Sequence, residues 1–121
     1  MAARHVVCRV GELRPGESRV VRTAARELLV VRTGVDSFAA VANSCPHQGA
    51  RLSDGRIERI WSAAEGRRHE PLERFAVVCP WHNFEFDLST GCPPYGQGAR
   101  CRPRLRRQEL VVEGEDVVLY A

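Results

Sequence analysis

The sequence predicts an all-β fold, an antiparallel sandwich or small barrel. Two observations carry that prediction. Short β-prone runs recur along the whole chain, and turn-forming residues punctuate them every few positions. A third observation, an isolated stretch of helical spacing, adds one short helix to the fold.

In chain order, His5 to Val10 is a β-prone run ended by Gly11. Arg14-Pro15-Gly16-Glu17 reads as a turn. Ser18 to Thr23 alternates polar and apolar residues, as a half-buried strand does. Glu27 to Thr33 and Ser37 to Ala42 flank Gly34-Val35-Asp36, a hairpin signature. Ile57, Ile60, Trp61 and Ala64 follow the spacing of one helix face. Asp54 stands where a cap belongs and Gly66 where the helix would end, so a short helix is expected there. Gly66 to Glu73 is polar and reads as an exposed loop. Phe75 to Val78 is a short apolar strand, and Asn83 to Asp87 alternates with Phe84 and Phe86 on one face. Glu109 to Val112 and Asp116 to Tyr120 flank Glu113-Gly114-Glu115, a second hairpin.

The 121 residues fit one domain, 1–121, large enough to bury a core without disulfides. Charged residues are 27% and hydrophobic ones 44%, which excludes a disordered chain. No apolar run approaches the ~20 residues of a membrane helix, and no secretory leader is visible, so a cytoplasmic protein is expected. All 18 basic residues are arginine, yet the net charge is only +3, too small for a nucleic-acid footprint. Five of those arginines cluster between Arg100 and Arg107, as a solvated edge or a docking surface for an acidic partner.

In a reducing compartment, five cysteines point to metal or redox chemistry. Two segments concentrate it. Cys45-Pro46-His47 precedes Gln-Gly-Ala-Arg-Leu, and Cys79-Pro80-Trp81-His82 precedes Asn-Phe-Glu-Phe-Asp. Each offers one thiolate and one imidazole. Together they make a Cys₂His₂ set that suits either a tetrahedral zinc or a two-iron cluster with mixed ligands. Zinc sites usually chelate through like pairs, whereas both pairs here are mixed. Mixed pairs suit a diamond-shaped cluster approached by two similar loops, each giving its Cys to the inner iron and its His to the outer one.

The segments CPHQGARL and CPWHNFEFDLSTG resemble the two cluster-binding loops of Rieske iron–sulfur proteins, and most closely those of soluble Rieske-type ferredoxins. The resemblance implies that Cys45 and Cys79 bind one iron and His47 and His82 the other, in one [2Fe–2S] cluster per chain. It implies a cluster-binding subdomain, about residues 43–96, inserted in a base of antiparallel sheets. It also places a proline-containing loop over the cluster, for which Pro93, Pro94 and Pro103 are the candidates. The 31 residues between His47 and Cys79 exceed the family's usual gap. Such an insertion costs little closure entropy. The high-potential membrane branch links its loops through a disulfide, but the corresponding positions here hold Ala50 and Trp81. Asn83 stands where a hydroxyl would raise the potential, so the lower half of the Rieske range is expected.

The function that follows is a soluble, monomeric one-electron carrier. It passes electrons from a reductase to an oxygenase or other redox enzyme, catalyses nothing itself, and binds neither nucleic acid nor membrane. A small Rieske-like subunit of a larger oxidoreductase such as nitrite reductase is the first alternative. A structural zinc module that binds a macromolecule is the second. Cys8 is expected as a buried strand residue, and Cys92 and Cys101 as free thiols. His5 and His69 are expected on the surface, and Trp81 packed as a shield for the site.

Overall fold

The computed structural model of the chain describes residues 3–46, 49–61, 71–81, 83–93 and 104–120. Ten strands run through them: β1 (Arg4–Arg9), β2 (Ser18–Arg22), β3 (Glu27–Arg32), β4 (Phe38–Ala42), β5 (Arg56–Trp61), β6 (Pro71–Val78), β7 (Glu85–Asp87), β8 (Arg107–Gln108), β9 (Leu110–Glu113) and β10 (Asp116–Tyr120). The only helical pieces among the described residues are 3-10 turns at Val10–Glu12 and Leu52–Asp54. No helix among them is long and apolar enough to cross a membrane.

The strands form three antiparallel sheets, ordered β1-β10-β9, β2-β3-β4-β8 and β5-β6-β7. The four-stranded sheet lies between the other two, and its central strand explains why. β3 is Glu-Leu-Leu-Val-Val-Arg, an apolar run without alternation. Leu28 and Val30 pack on one side against Val7, Cys8, Val117 and Leu119. Leu29 and Val31 pack on the other against Phe75, Val77 and Phe86. A strand buried on both faces needs no polar alternation. β2 at the sheet edge does alternate, with Val20 exposed and Val21 packed on the core.

The predicted helix is absent. Residues 56–61 are β5, paired with β6 from Arg56↔Val78 to Trp61↔Pro71. The pairing slips between Arg59 and Trp61, and a slipped strand does not keep strict alternation. Ile57 is partly buried against the core and Ile60 is buried, three residues apart, which is the spacing that reads as a helix face. The expected loop of 66–73 is likewise shorter, because Pro71 already opens β6; residues 62–70, with Ala64, Gly66 and His69, lie outside the described residues.

The β5-β6-β7 sheet and its loops are inserted between β4 and β8. One end of the β5-β6 hairpin carries both cysteine segments, since β5 follows the first and β6 leads into the second. A six-residue strand spans about 20 Å, which sets the other end of the hairpin far from them.

Candidate metal centre

Both cysteine segments are loops built on the same plan. The Cys45 N–H donates to the Ala50 carbonyl, five residues on, at 2.8 Å. The Cys79 N–H donates to the Phe84 carbonyl, also five residues on, at 2.8 Å. In each loop the residue just before that acceptor takes the left-handed conformation, Gly49 at φ 78° and Asn83 at φ 53°. Asparagine tolerates this region better than most residues. That accounts for Asn83 where a hydroxyl residue was considered.

The loops converge on their cysteines. Cys45 and Cys79 are each 1% exposed and belong to the same core cluster. Burial pushes the Cys79 thiol up. The backbone N–H of Trp81 donates to it and opposes that shift, while its hydrogen bond with Cys45 raises it further. Buried beside a second sulfur, the Cys79 thiol resists ionisation unless a cation replaces the lost solvent. An iron–sulfide core supplies that cation, and thiolate is the ligand form it takes. The donor set fits the group.

His47 and His82 lie outside the described residues. Their neighbours face solvent: Pro46, Pro80 and Asn83 are exposed, and Trp81 is 49% exposed. Trp81 therefore does not pack as a shield, contrary to the sequence expectation. A side chain placed at the outer tip of a loop has no core beneath it.

A polar node that sequence reasoning missed holds the first loop. Buried Asn43 donates through its amide to Glu27 at 2.7 Å and to Ser53 at 2.9 Å. Its oxygen accepts the Ser53 N–H at 2.7 Å, so it spans the loop from entry to exit. The Arg51 guanidinium beside Glu27 and the Asn43 amide hold the Glu27 carboxyl below its usual range. The second loop is tied to β5 by Arg56, which donates to Asn83 at 3.4 Å.

A second missed element follows β7. Asp87 is fully buried and pairs with Arg74. Its other oxygen accepts from the Ser89 N–H at 2.8 Å and the Ser89 hydroxyl at 2.6 Å. The signal was present in Asp87-Leu88-Ser89-Thr90-Gly91, since an Asp two residues before a Ser is a turn-former. Gly91 completes that turn at φ 78°, and a Cβ there would stand 2.6 Å from the Leu105 carbonyl. Cys92 is buried at the end of this turn and is disulfide-bonded, not the free thiol expected. Its burial shields it from reductants. Cys101, Pro94 and Pro103 lie outside the described residues, and Pro93 is half-buried. Cys8 is a buried free thiol and His5 is exposed, both as expected.

A family model described as a Rieske [2Fe–2S] domain matches residues 3–101. Apoptosis-inducing factor 3 from Homo sapiens is 35% identical over 85 residues, which are 70% of this chain and 11% of that protein. Ferredoxin CarAc from Metapseudomonas resinovorans is 33% identical over 88 residues, 72% of this chain and 67% of that one. The solved ferredoxin of carbazole 1,9a-dioxygenase from Nocardioides aromaticivorans IC177 superposes with a TM-score of 0.69 at 28% identity, covering 98% of this chain and 95% of that one. The chain thus spans about a tenth of the length of the first of these relatives and two thirds of the second.

Proposed function

Because the chain belongs to the Rieske [2Fe–2S] domain family, we propose that it is a one-electron carrier that moves electrons from a reductase to an oxygenase or other redox enzyme and is not itself a catalyst. The observation that carries this reading is the convergence of the two buried thiols of Cys45 and Cys79 at the heads of two loops with the same backbone closure. The two ferredoxins of similar length support the carrier role, and one of them serves a dioxygenase.

In this reading Cys45 and Cys79 would hold one iron as thiolates, and His47 and His82 would hold the other. The bound cluster supplies a reversible one-electron couple. The chain does the rest. The core of Phe86, Leu52 and Val77 keeps water from the cysteine side. The Trp81 N–H on the Cys79 sulfur stabilises thiolate charge there. The exposed neighbours Pro46 and Trp81 leave the histidine side open to a partner.

Analysis of the purified protein should find one [2Fe–2S] cluster per chain, that is about two irons and two acid-labile sulfides. Titration should take up one electron per cluster, and the reduced EPR signal should have a lower average g than an all-cysteine cluster. Stoichiometric zinc without labile sulfide would overturn the reading.

Deleting residues 66–70 should leave the visible spectrum unchanged. In sequence they fall between Trp61 and Pro71, the paired strand ends remote from Gly55 and Cys79. Loss of more than half the visible absorbance per chain would show instead that this segment supports the centre.

A further inference from the structure

The surface arginines differ in their partners: Arg14 has no carboxylate partner among the described residues, and Arg59 lies over the Phe75 ring. Arg4, Arg9, Arg19, Arg22, Arg51 and Arg56 each pair with a carboxylate, at 2.5 to 3.3 Å. Arg104, Arg106 and Arg107 are exposed and stand together, and none of them pairs with a carboxylate among the described residues. Arg104 donates to the Thr90 carbonyl at 3.2 Å and Arg107 to the Leu88 carbonyl at 2.8 Å, which fixes both side chains while leaving their charge unneutralised. The Leu105 N–H donates to the Gly91 carbonyl at 2.8 Å, so the row lies along the turn that follows β7 and the second loop. The three arginines line an open groove of about 450 Å³. Arg107 also lines a small pocket of about 110 Å³, walled by Phe38, Phe75 and Leu88 and edged by Arg74, Ser89 and Thr33.

Resting on the electron-carrier reading, we propose that Arg104, Arg106 and Arg107 form the docking face for an acidic segment of the redox partner, with one glutamate or aspartate side chain seated in the pocket beside Arg107. Grouped, uncompensated charge steers and orients an oppositely charged surface. The pocket favours a carboxylate on a short hydrocarbon stem, because its lining combines Phe38, Phe75 and Leu88 with Arg107 and the hydroxyl residues Ser89 and Thr33. A nucleic acid fits less well. A regular run of phosphates needs a longer basic track than these three arginines beside Glu109, and the net charge of the chain is only +3.

The test uses the full-length holoprotein and a fluorescein-labelled hexaglutamate peptide, followed by fluorescence anisotropy. The peptide should bind at low ionic strength and weaken at least tenfold as salt rises, since rim charges are screened over about 10 Å at 0.1 M. The R104Q/R106Q/R107Q variant should bind at least tenfold more weakly, with its visible spectrum unchanged. R4Q/R9Q/R19Q, which removes the same charge from paired positions, should change affinity less than threefold. The Arg106 side chain makes no hydrogen bond or ion pair among the described residues, so R106Q alone should cost two- to fourfold even if the triple variant misfolds. Equal losses in the two triple variants would reduce the effect to net charge and overturn the proposal. Binding of a thymidine hexanucleotide as tight as that of hexaglutamate would overturn it in favour of a general polyanion surface. A wild-type protein without the iron–sulfur spectrum would instead remove the electron-carrier reading, a result that peptide binding cannot mimic.

Discussion

Replacing Cys45 or Cys79 with alanine should abolish the iron–sulfur chromophore, leaving less than a tenth of the wild-type iron and labile sulfide per chain. Each cysteine is buried against the other, and neither loop offers a second thiol nearby. Among the described residues the remaining free thiol, Cys8, packs in the separate core between β1 and the four-stranded sheet. In the proposed ligand set His47→Ala and His82→Ala should have the same consequence, because each would open a coordination position on an iron. Cys8→Ala is the informative control. It removes a buried sulfur from an apolar core and should cost on the order of 1 kcal/mol of stability, yet retain iron and sulfide in full. His5→Ala should retain them as well, since His5 is exposed on β1. Iron and sulfide analysis of the as-purified variants decides the matter. Retention of a full cluster in Cys79→Ala would remove Cys79 from the ligand set.

The candidate ligands stand out in the chain because they fall within three consecutive residues, Cys45 to His47, and within four, Cys79 to His82. What surrounds it is less so. The hairpins turning at Gly34–Asp36 and at Gly114 are readable, since alternation and turn residues are local signals. The helix expected at Ile57 fails because the slipped pairing of β5 with β6 is set by a partner strand some fifteen residues away. Spacing within one segment cannot register a partner's register. The polar node of Glu27, Asn43, Arg51 and Ser53 is invisible for the same reason, for it joins β3 to both ends of the first loop. The turn that Asp87 opens has a local signal, but the burial of its carboxylate does not. Its full burial depends on Arg74 from β6 and on the turn it closes itself.

The matching closures of the two loops connect these scales. Each cysteine is held by a hydrogen bond from its own N–H to the carbonyl five residues on, and each loop turns back through one left-handed residue. The closure of each loop thus rests on the backbone of its own segment. Their relative placement depends on a different contact, where the exit of the first loop crosses the entry of the second. That crossing is at Gly55 and Val78.

Gly55→Ala should be the most damaging single methyl group in the molecule. A Cβ at Gly55 would stand 1.8 Å from the Val78 carbonyl oxygen, 3.0 Å from its carbon and 3.2 Å from the Pro80 ring. The obstacle is backbone, and that backbone leads directly into Cys79, so no side chain can swing aside. Relief requires β5 to move away from β6, which breaks the Arg56↔Val78 pairing and shifts the second loop relative to the first. Forced overpacking of this kind typically costs about 1–3 kcal/mol where side chains can adjust. With backbone as the obstacle, about 3 kcal/mol or more is expected, a fall in Tm of about 10 °C or more for a chain of this size. Gly11→Ala is the matched control: nothing lies within 4 Å of its Cβ position, and its φ is not in the left-handed region. It should change Tm by no more than about 2 °C. Thermal unfolding followed by circular dichroism measures both variants, and visible absorbance reports the cluster in the same samples. Gly55→Ala should lose part of its cluster on purification even at temperatures where the fold survives. Equal melting temperatures for the two variants would show that β5 and β6 do not meet as closely as Gly55 and Val78 require.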